Sequence, residues 1–146
     1  MANHQLALSN YVSLFENMSR DDLVHLDRFF TINAHFKDPF NEVNSLENIR
    51  YIFEHMFNSL NKPSFTVDES VLNDDIAYIK WQFKAELKNK PISLMGLSRV
   101  VFNQQDLVSE HIDYWDASEQ FYMKLPIIGS LLRFIQGKAS AIKATN

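Results

Sequence analysis

The chain has no cysteine among its 146 residues, which excludes a disulfide framework, thiol chemistry and Cys-ligated zinc. Three Gly and four Pro leave little room for linkers, so we expect one domain over residues 1–146, with a frayed tail over residues 137–146. Lys and Arg number 14 against 18 Asp and Glu, the formal net charge is −4, and no basic cluster is present. Nucleic acid is therefore not an expected partner.

The sequence also lacks the patterns of a signal peptide and of a membrane span. Residues 1–5 have neither the basic start nor the apolar run of a signal peptide. The longest apolar segment, Leu125–Ile135, is too short to cross a bilayer and is interrupted by Gly129, Ser130 and Arg133. We therefore expect a cytoplasmic protein that does not bind a membrane.

What the chain does have is apolar material, with 46% hydrophobic residues and twelve Phe, enough for a sizeable core. Helical spacing over residues 5–18 predicts a first helix, and Ser19 is typical of the start of a short second helix that includes Phe30. A first strand follows, with Ile32, Ala34 and Phe36 on one face. Continuing that alternation places Asp38 on the apolar face, and Pro39 ends the strand.

The second half is rich in strand patterns. Ser45 is expected to cap a third helix, and alternation then predicts strands near residues 65–71, 77–87, 92–102 and 107–115, with the third apolar on both faces. Helical patterns return over residues 118–122 and from Pro126 onward. The order of elements indicates an α+β domain, with helices packed on one face of a mainly antiparallel sheet.

The last strand contains the candidate functional residues. A period of two puts His111, Asp113 and Trp115 on one face, and ionisable groups facing a core need partners or a function. His111 and Asp113 are either an acid–base pair or a buried structural pair bonded to Tyr11 or a helix end. Asp38 is either a general base, whose pKa a dehydrated site would raise, or a carboxylate that caps a turn.

These features resemble the superfamily of nuclear transport factor 2, ketosteroid isomerase and the SnoaL-type polyketide cyclases. The order of elements, the Asp38-Pro39 pair and the run Asp113-Tyr114-Trp115-Asp116 support this, as do residues 118–122 and 125–129, which are similar to a SnoaL-like bacterial branch. The resemblance covers nearly the whole chain. It implies a cone-shaped, strongly curved, mainly antiparallel sheet, with three N-terminal helices closing a pocket, an added C-terminal helix and often a homodimer.

The resemblance also implies residue roles. In ketosteroid isomerase the Asp of an Asp-Pro pair is the general base, and a Tyr followed by Val donates to the enolate oxygen; Asp38-Pro39 and Tyr11-Val12 match these motifs. Its second donor is a protonated Asp, whereas Ser98, a weaker donor, stands at that position here. Lining up Phe102-Asn103 with the end of the strand that carries this Asp in ketosteroid isomerase also puts His111, Asp113 and Trp115 at pocket-lining positions.

Two hypotheses of different classes follow. The first is an isomerase/cyclase-type enzyme for a small hydrophobic or carbonyl-containing molecule, with Asp38 as base, Tyr11 and His111 as donors, and Asp113 orienting His111. Trp115, Trp81, Phe83, Met56 and Ser98 would line its pocket, although aromatic residues at such spacing also occur as plain core.

The second hypothesis is a non-catalytic ligand-binding or assembly domain. A cavity of about 300 Å³ or more that touches Asp38 and His111 would favour the enzyme, and a cone filled with Phe and Met the alternative. No cofactor is expected. Asp38, His111 and Asp113 lack the spacing of paired metal-binding His, so no metal is expected either.

A homodimer through the outer face of the sheet is also predicted. The strand alternation places on that face a set of apolar side chains that is too large to leave in water, namely Met95, Leu97, Val101, Ile112 and Tyr114.

Overall fold

The computed structural model of the chain describes residues 1–117. The helices predicted after residue 117 and the tail 137–146 lie outside the described residues. Within them are two α-helices, one 3₁₀ helix and six strands. In chain order they are α1 (His4–Glu16), the 3₁₀ helix (Arg20–Arg28), β1 (Phe30–Lys37), β2 (Glu42–Val43), α2 (Leu46–Ser59), β3 (Asn61–Asn73), β4 (Ile76–Leu87), β5 (Lys90–Phe102) and β6 (Val108–Tyr114).

The starts of the three helices are set by polar side chains that accept otherwise unpaired backbone N–H groups. The side chain of Asn3 accepts from the N–H of Leu6 at 3.1 Å. Ser19 and Asp22 cap each other's backbone at the 3₁₀ helix, and Ser45 caps α2. The caps expected at Ser19 and Ser45 are thus confirmed.

The six strands form one mixed sheet in the order β2-β1-β6-β5-β4-β3. Only the pairing of β1 with β6 is parallel among the described strands; the others are antiparallel. Three helices and an open six-stranded sheet confirm the predicted α+β class. This topology brings the end of β1 beside the end of β6, where the candidate residues lie.

The alternation predicted for β4 is confirmed. Its inner face buries Ala77, Ile79, Trp81, Phe83 and Ala85, while the intervening residues remain more exposed. On β5 the inner face is also buried, but Met95 and Leu97 point outward and are exposed. Within residues 1–117, the fully buried side chains of β5 therefore all lie on its inner face.

Two strand predictions are wrong at individual positions. Ile32, expected on the buried face of β1, is 82% exposed because the register between β1 and β6 shifts between Phe30 and His35. Phe30 itself begins β1 rather than continuing the preceding helix. Val71, which continues the apolar alternation of Phe65 and Val67 in the sequence, faces water because the β3–β4 register shifts between Val67 and Glu69. In β3 the extra residue reverses the face of the residues that follow it, whereas in β1 Ala34 and Phe36 stay on the buried face beyond Ile32.

Candidate functional site

A chain of hydrogen bonds crosses the inner face of β4, β5 and β6. The indole Nε1 of Trp81 donates to Ser98 Oγ at 2.8 Å, and Ser98 Oγ donates to Oδ1 of Asp113. Ser98 lies directly opposite Asp113 in the β5–β6 register. The same Oδ1 lies 2.6 Å from Nε2 of His111. Two hydrogen bonds therefore converge on one oxygen of this carboxylate.

The chain continues from His111 to helix α1. Nδ1 of His111 lies 2.7 Å from the hydroxyl of Tyr11, which is fully buried. The imidazole stacks on Phe36 with 4.9 Å between ring centroids. Burial raises the pKa of Tyr11 well above its ordinary value, and the negative charge of Asp113 raises it further. Both ring nitrogens of His111 thus have a hydrogen-bond partner. The bond to Tyr11 is the one expected if His111 and Asp113 are a buried structural pair.

Asp38 follows the end of β1, next to the Asp113 end of β6. Because Phe36 pairs with His111 and Lys37 with Ile112 in the parallel register, the next residue along comes beside Asp113. Oδ1 of Asp38 accepts from the N–H of Phe40 at 2.8 Å and of Asn41 at 2.6 Å. The carboxylate therefore caps the turn after β1, as one of the two interpretations of this residue predicts.

The environment of Asp38 also favours its neutral form. Although its surface is partly exposed, most of the volume around the carboxyl is protein. This desolvation, together with the charge of Asp113, raises the pKa of Asp38 from 3.8 to about 6, against the opposing hydrogen bonds from Phe40 and Asn41. The direction agrees with that expected from the sequence for a dehydrated base.

The interior of the cone is almost filled. The cavity between the helices and the sheet has about 40 Å³, room for a few water molecules and far less than a ligand pocket needs. Phe15, Phe53 and Phe65 are among the residues that surround it. Tyr11, His111, Asp113, Ser98 and Trp81 line it too, but Asp38 does not.

A larger groove of about 550 Å³ opens at the rim of the sheet. Asp38, Asp113 and Trp115 line it, together with Lys37 and Ile112, whereas His111 does not. We expected Asp38, His111, Asp113 and Trp115 to share one cavity. Instead, Asp38 and Trp115 line the groove and His111 lines the interior cavity. Asp113 is the residue of this set that borders both spaces.

The remaining predicted pocket residues divide in the same way. Trp81 and Ser98 line the interior cavity. Phe83 and Met56 line neither of these two spaces: Phe83 packs against Phe65 with 4.8 Å between ring centroids, and Met56 is a partly buried part of the core. These two side chains are positioned as core residues.

Sequence reasoning missed two residues of the site. Asn41 donates its side-chain N–H to both oxygens of Asp38, each at 3.2 Å. Gly96 faces Trp81 in the β4–β5 register, and a Cβ atom there would lie 2.6 Å from Cη2 of the indole. A glycine inside a strand signals a close approach of another group, so Gly96 was detectable from the sequence, whereas Asn41 offered no such signal.

Within residues 1–117, no three His, Asp or Glu side chains are grouped so that they would hold a metal ion. No helix in the same part of the chain is both long and apolar enough to cross a membrane.

Solved structures with the same fold are numerous, and their identities are low. A protein from Shewanella putrefaciens assigned as a SnoaL-like polyketide cyclase has a TM-score of 0.68 and 14% identity, over 85% of this chain and 99% of that one. An LEH-like epoxide hydrolase from M. tuberculosis has a TM-score of 0.67 and 8% identity, over 90% of this chain and 94% of that one. A protein of ketosteroid isomerase-like fold from Catenulispora acidiphila was solved with trimethylamine. It has a TM-score of 0.67 and 12% identity, over 80% of this chain and 89% of that one.

Similarity at the sequence level gives the family. Among curated proteins, none matches the chain. The family model for the SnoaL-like domain matches residues 11–111, which begins at Tyr11 and ends at His111. This range includes α1 from its buried tyrosine, the whole of α2 and β1 to β5, and the first half of β6. The chain therefore belongs to the family of SnoaL-like domains.

Proposed function

We propose that this chain is a small-molecule enzyme in which Asp38 takes a proton from a carbon next to a carbonyl group. The observation that supports this most is the pairing of Asp38 and Asp113 on one open groove of about 550 Å³. The two carboxylates differ in environment: Asp113 accepts hydrogen bonds from the buried chain, and Asp38 lies in a largely dehydrated turn. We assign the base role to Asp38 and treat Asp113 as its ionised neighbour.

The ionisation of Asp38 suits this role. With a pKa of about 6, it is mostly ionised at neutral pH and a stronger base than an ordinary aspartate, as general-base catalysis requires. The groove offers apolar surface from Pro39, Ile112 and Trp115 for the body of a ligand. We expect a small hydrophobic molecule with a carbonyl group. The polyketide cyclase and epoxide hydrolase names of structures sharing this fold support small-molecule chemistry in general.

The oxygen of the developing enolate needs a different partner from the one suggested by the sequence. The hydroxyl of Tyr11 and Nε2 of His111 are both engaged inside the chain of hydrogen bonds, so we assign them to holding Asp113 rather than to touching the ligand. Lys37 borders the groove beside Asp38. We propose that its ammonium group faces the enolate oxygen.

The test needs no knowledge of the natural substrate. The full chain is incubated in D₂O with a panel of ketones, such as 1-tetralone, 2-tetralone and acetophenone, and exchange at the carbon next to the carbonyl is followed by proton NMR. Asp38→Asn keeps the shape of the turn and should lower exchange by about 10²–10⁴-fold. Asp74→Asn, in an exposed turn with φ of 56° that Asn tolerates, is the matched control. Exchange that survives in Asp38→Asn would refute this function.

A second function is favoured by the filled interior. With about 40 Å³ of space among Phe15, Phe53 and Phe65, the cone meets the condition set above for a non-catalytic binding or assembly domain. Ligands of the panel that bind the groove without any exchange above background would support this alternative.

We also propose a homodimer through the outer face of the sheet. Met95 is 59% exposed, Leu97 40% and Tyr114 56%, and all three lie on the neighbouring strands β5 and β6. Apolar residues grouped in this way are typical of an interface between subunits. Val101 and Ile112, also predicted for this face, are half-buried.

A further inference from the structure

In the buried chain of hydrogen bonds, only one set of donor and acceptor directions gives every N–H and O–H group an acceptor. An indole N–H can only donate, so Ser98 accepts from Trp81 and has its own proton left for Asp113. At the other end, the buried hydroxyl of Tyr11 needs an acceptor, and Nδ1 of His111 is the partner described for it. His111 is then neutral, with its proton on Nε2 pointing at Asp113.

This arrangement stabilises a carboxylate at Asp113. A proton on Oδ1 would have to reverse one of the two hydrogen bonds that end there. If the bond from Ser98 reversed, the Ser98 hydroxyl would have no acceptor. If the bond from His111 reversed, the imidazole proton would move to Nδ1, and the Tyr11 hydroxyl would lose its acceptor. A proton on Oδ2 would keep the directions but replace two charge-assisted hydrogen bonds by weaker neutral ones. The hydrogen bonds of Trp81, Ser98, His111 and Tyr11 are therefore strongest when Asp113 is ionised.

Gly96 allows the indole of Trp81 to be the first donor in the chain of hydrogen bonds. The indole lies against the backbone of β5 at Gly96, its partner in the β4–β5 register. An added Cβ would approach Cη2 of the indole to 2.6 Å and Cε2 to 2.9 Å. The absence of a side chain thus lets the ring lie close enough for Nε1 to reach Ser98, two residues further along β5.

We propose that Trp81, Ser98, His111 and Tyr11 are positioning residues that keep Asp113 a carboxylate, and that the charge of Asp113 in turn increases the basicity of Asp38 across the groove. The catalytic consequence rests on the proposed function, but the electrostatic relation between the two aspartates does not. Among residues 1–117, the ionisable groups that face Asp113 are His111 on its own strand, Asp38 after β1 and Tyr11 on α1, with Lys37 and Asp116 at the groove.

The first test is a titration of the side-chain carboxyls by carbon NMR in the full chain labelled at Asp. Wild-type Asp38 should titrate near pH 6, and Asp113→Asn should lower that midpoint because a neighbouring negative charge is removed. Ser98→Ala should shift it in the same direction, because Asp113 loses one of the two hydrogen bonds that favour its ionised form, and Ser98→Thr, which keeps the hydroxyl, should retain the wild-type midpoint. An unchanged midpoint in Ser98→Ala would overturn the proposal, since a merely structural serine does not move it.

The second test examines His111 and Tyr11, at the other end of the chain of hydrogen bonds. It does not require the Ser98→Ala protein to fold. Ring-nitrogen NMR of wild-type His111 at neutral pH should show the neutral form protonated on Nε2, and Tyr11→Phe should change that pattern while leaving the helix content by circular dichroism unaltered. A wild-type imidazole protonated on Nδ1 would overturn the proposal. Neither measurement uses a substrate, so failure of the ketone exchange leaves these results standing, and the reverse also holds.

Discussion

Nε2 of His111 lies 2.6 Å from Oδ1 of Asp113, two residues further along the same strand. Side chains two apart on a strand are about 6–7 Å apart at their Cα atoms, so the two side chains lean towards each other. Ser98 on the neighbouring strand donates to the same oxygen. The pair is thus the centre of a network that joins α1 to three strands and ends at the groove.

The rate of ketone exchange should rise with pH through a midpoint near 6, because the base form of Asp38 is needed and its pKa is about 6. In Asp113→Asn the midpoint should move to lower pH, since the negative charge that adds to the effect of burial on the pKa of Asp38 is gone. A pH profile measured by NMR on both proteins tests this. A midpoint that stays in place in Asp113→Asn would contradict the assigned cause.

Stability should depend on the same group. The pKa of Asp38 is higher in the folded chain than the ordinary 3.8, so folding binds a proton between about pH 4 and pH 6. Its stabilising effect is complete below pH 3.8 and is lost as the pH rises through about 6, by at most about 3 kcal/mol. Urea unfolding at several pH values should show this fall in wild type and a flatter curve in Asp38→Asn. Equal slopes would mean that another group titrates.

Tyr11→Phe separates two roles for the hydroxyl. A donor to the enolate oxygen would cost about 10²–10³-fold in exchange rate when removed. We expect a loss below tenfold, accompanied by a shift of the pH midpoint, because the hydroxyl holds His111 rather than the ligand. The measurement is the exchange rate as a function of pH. A hundredfold loss without a shift of the midpoint would restore Tyr11 as a direct donor.

Gly96→Ala should destabilise the chain by about 1–3 kcal/mol, because its Cβ would overlap the second ring of the Trp81 indole. Trp81→Phe removes that ring. The double variant should therefore lose little more stability than Trp81→Phe alone, and urea unfolding of all four proteins gives the coupling. Strictly additive losses would show that Gly96 is required for some other reason.

The homodimer predicts a mass of twice 17.1 kDa in multi-angle light scattering at micromolar concentration. Leu97→Glu places a charge in the apolar outer face and should shift the protein towards monomer. Val24→Glu is the matched control, because Val24 is 66% exposed but lies on the 3₁₀ helix, away from that face. A wild-type protein that is monomeric under these conditions would remove this proposal.

The sequence by itself determined the elements and most of their faces. The alternation from Ala77 to Ala85 predicted the buried face of β4, and Ser19 and Ser45 marked two helix starts, because period and capping are local properties of the chain. The Asp-Pro pair, Tyr11-Val12 and the order of elements were enough to identify the superfamily, which the SnoaL-like match over residues 11–111 supports.

Only the tertiary structure decided what the candidate residues touch. A register shift turned Ile32 outward, and phenylalanines from α1, α2 and β3 filled the cone that the sequence left open. Trp81, Ser98 and Asp113 meet because three strands are aligned in one register, and Tyr11 reaches His111 across 100 residues of sequence. Pairing register and the filling of space depend on contacts between distant segments, and no local period in the sequence encodes them.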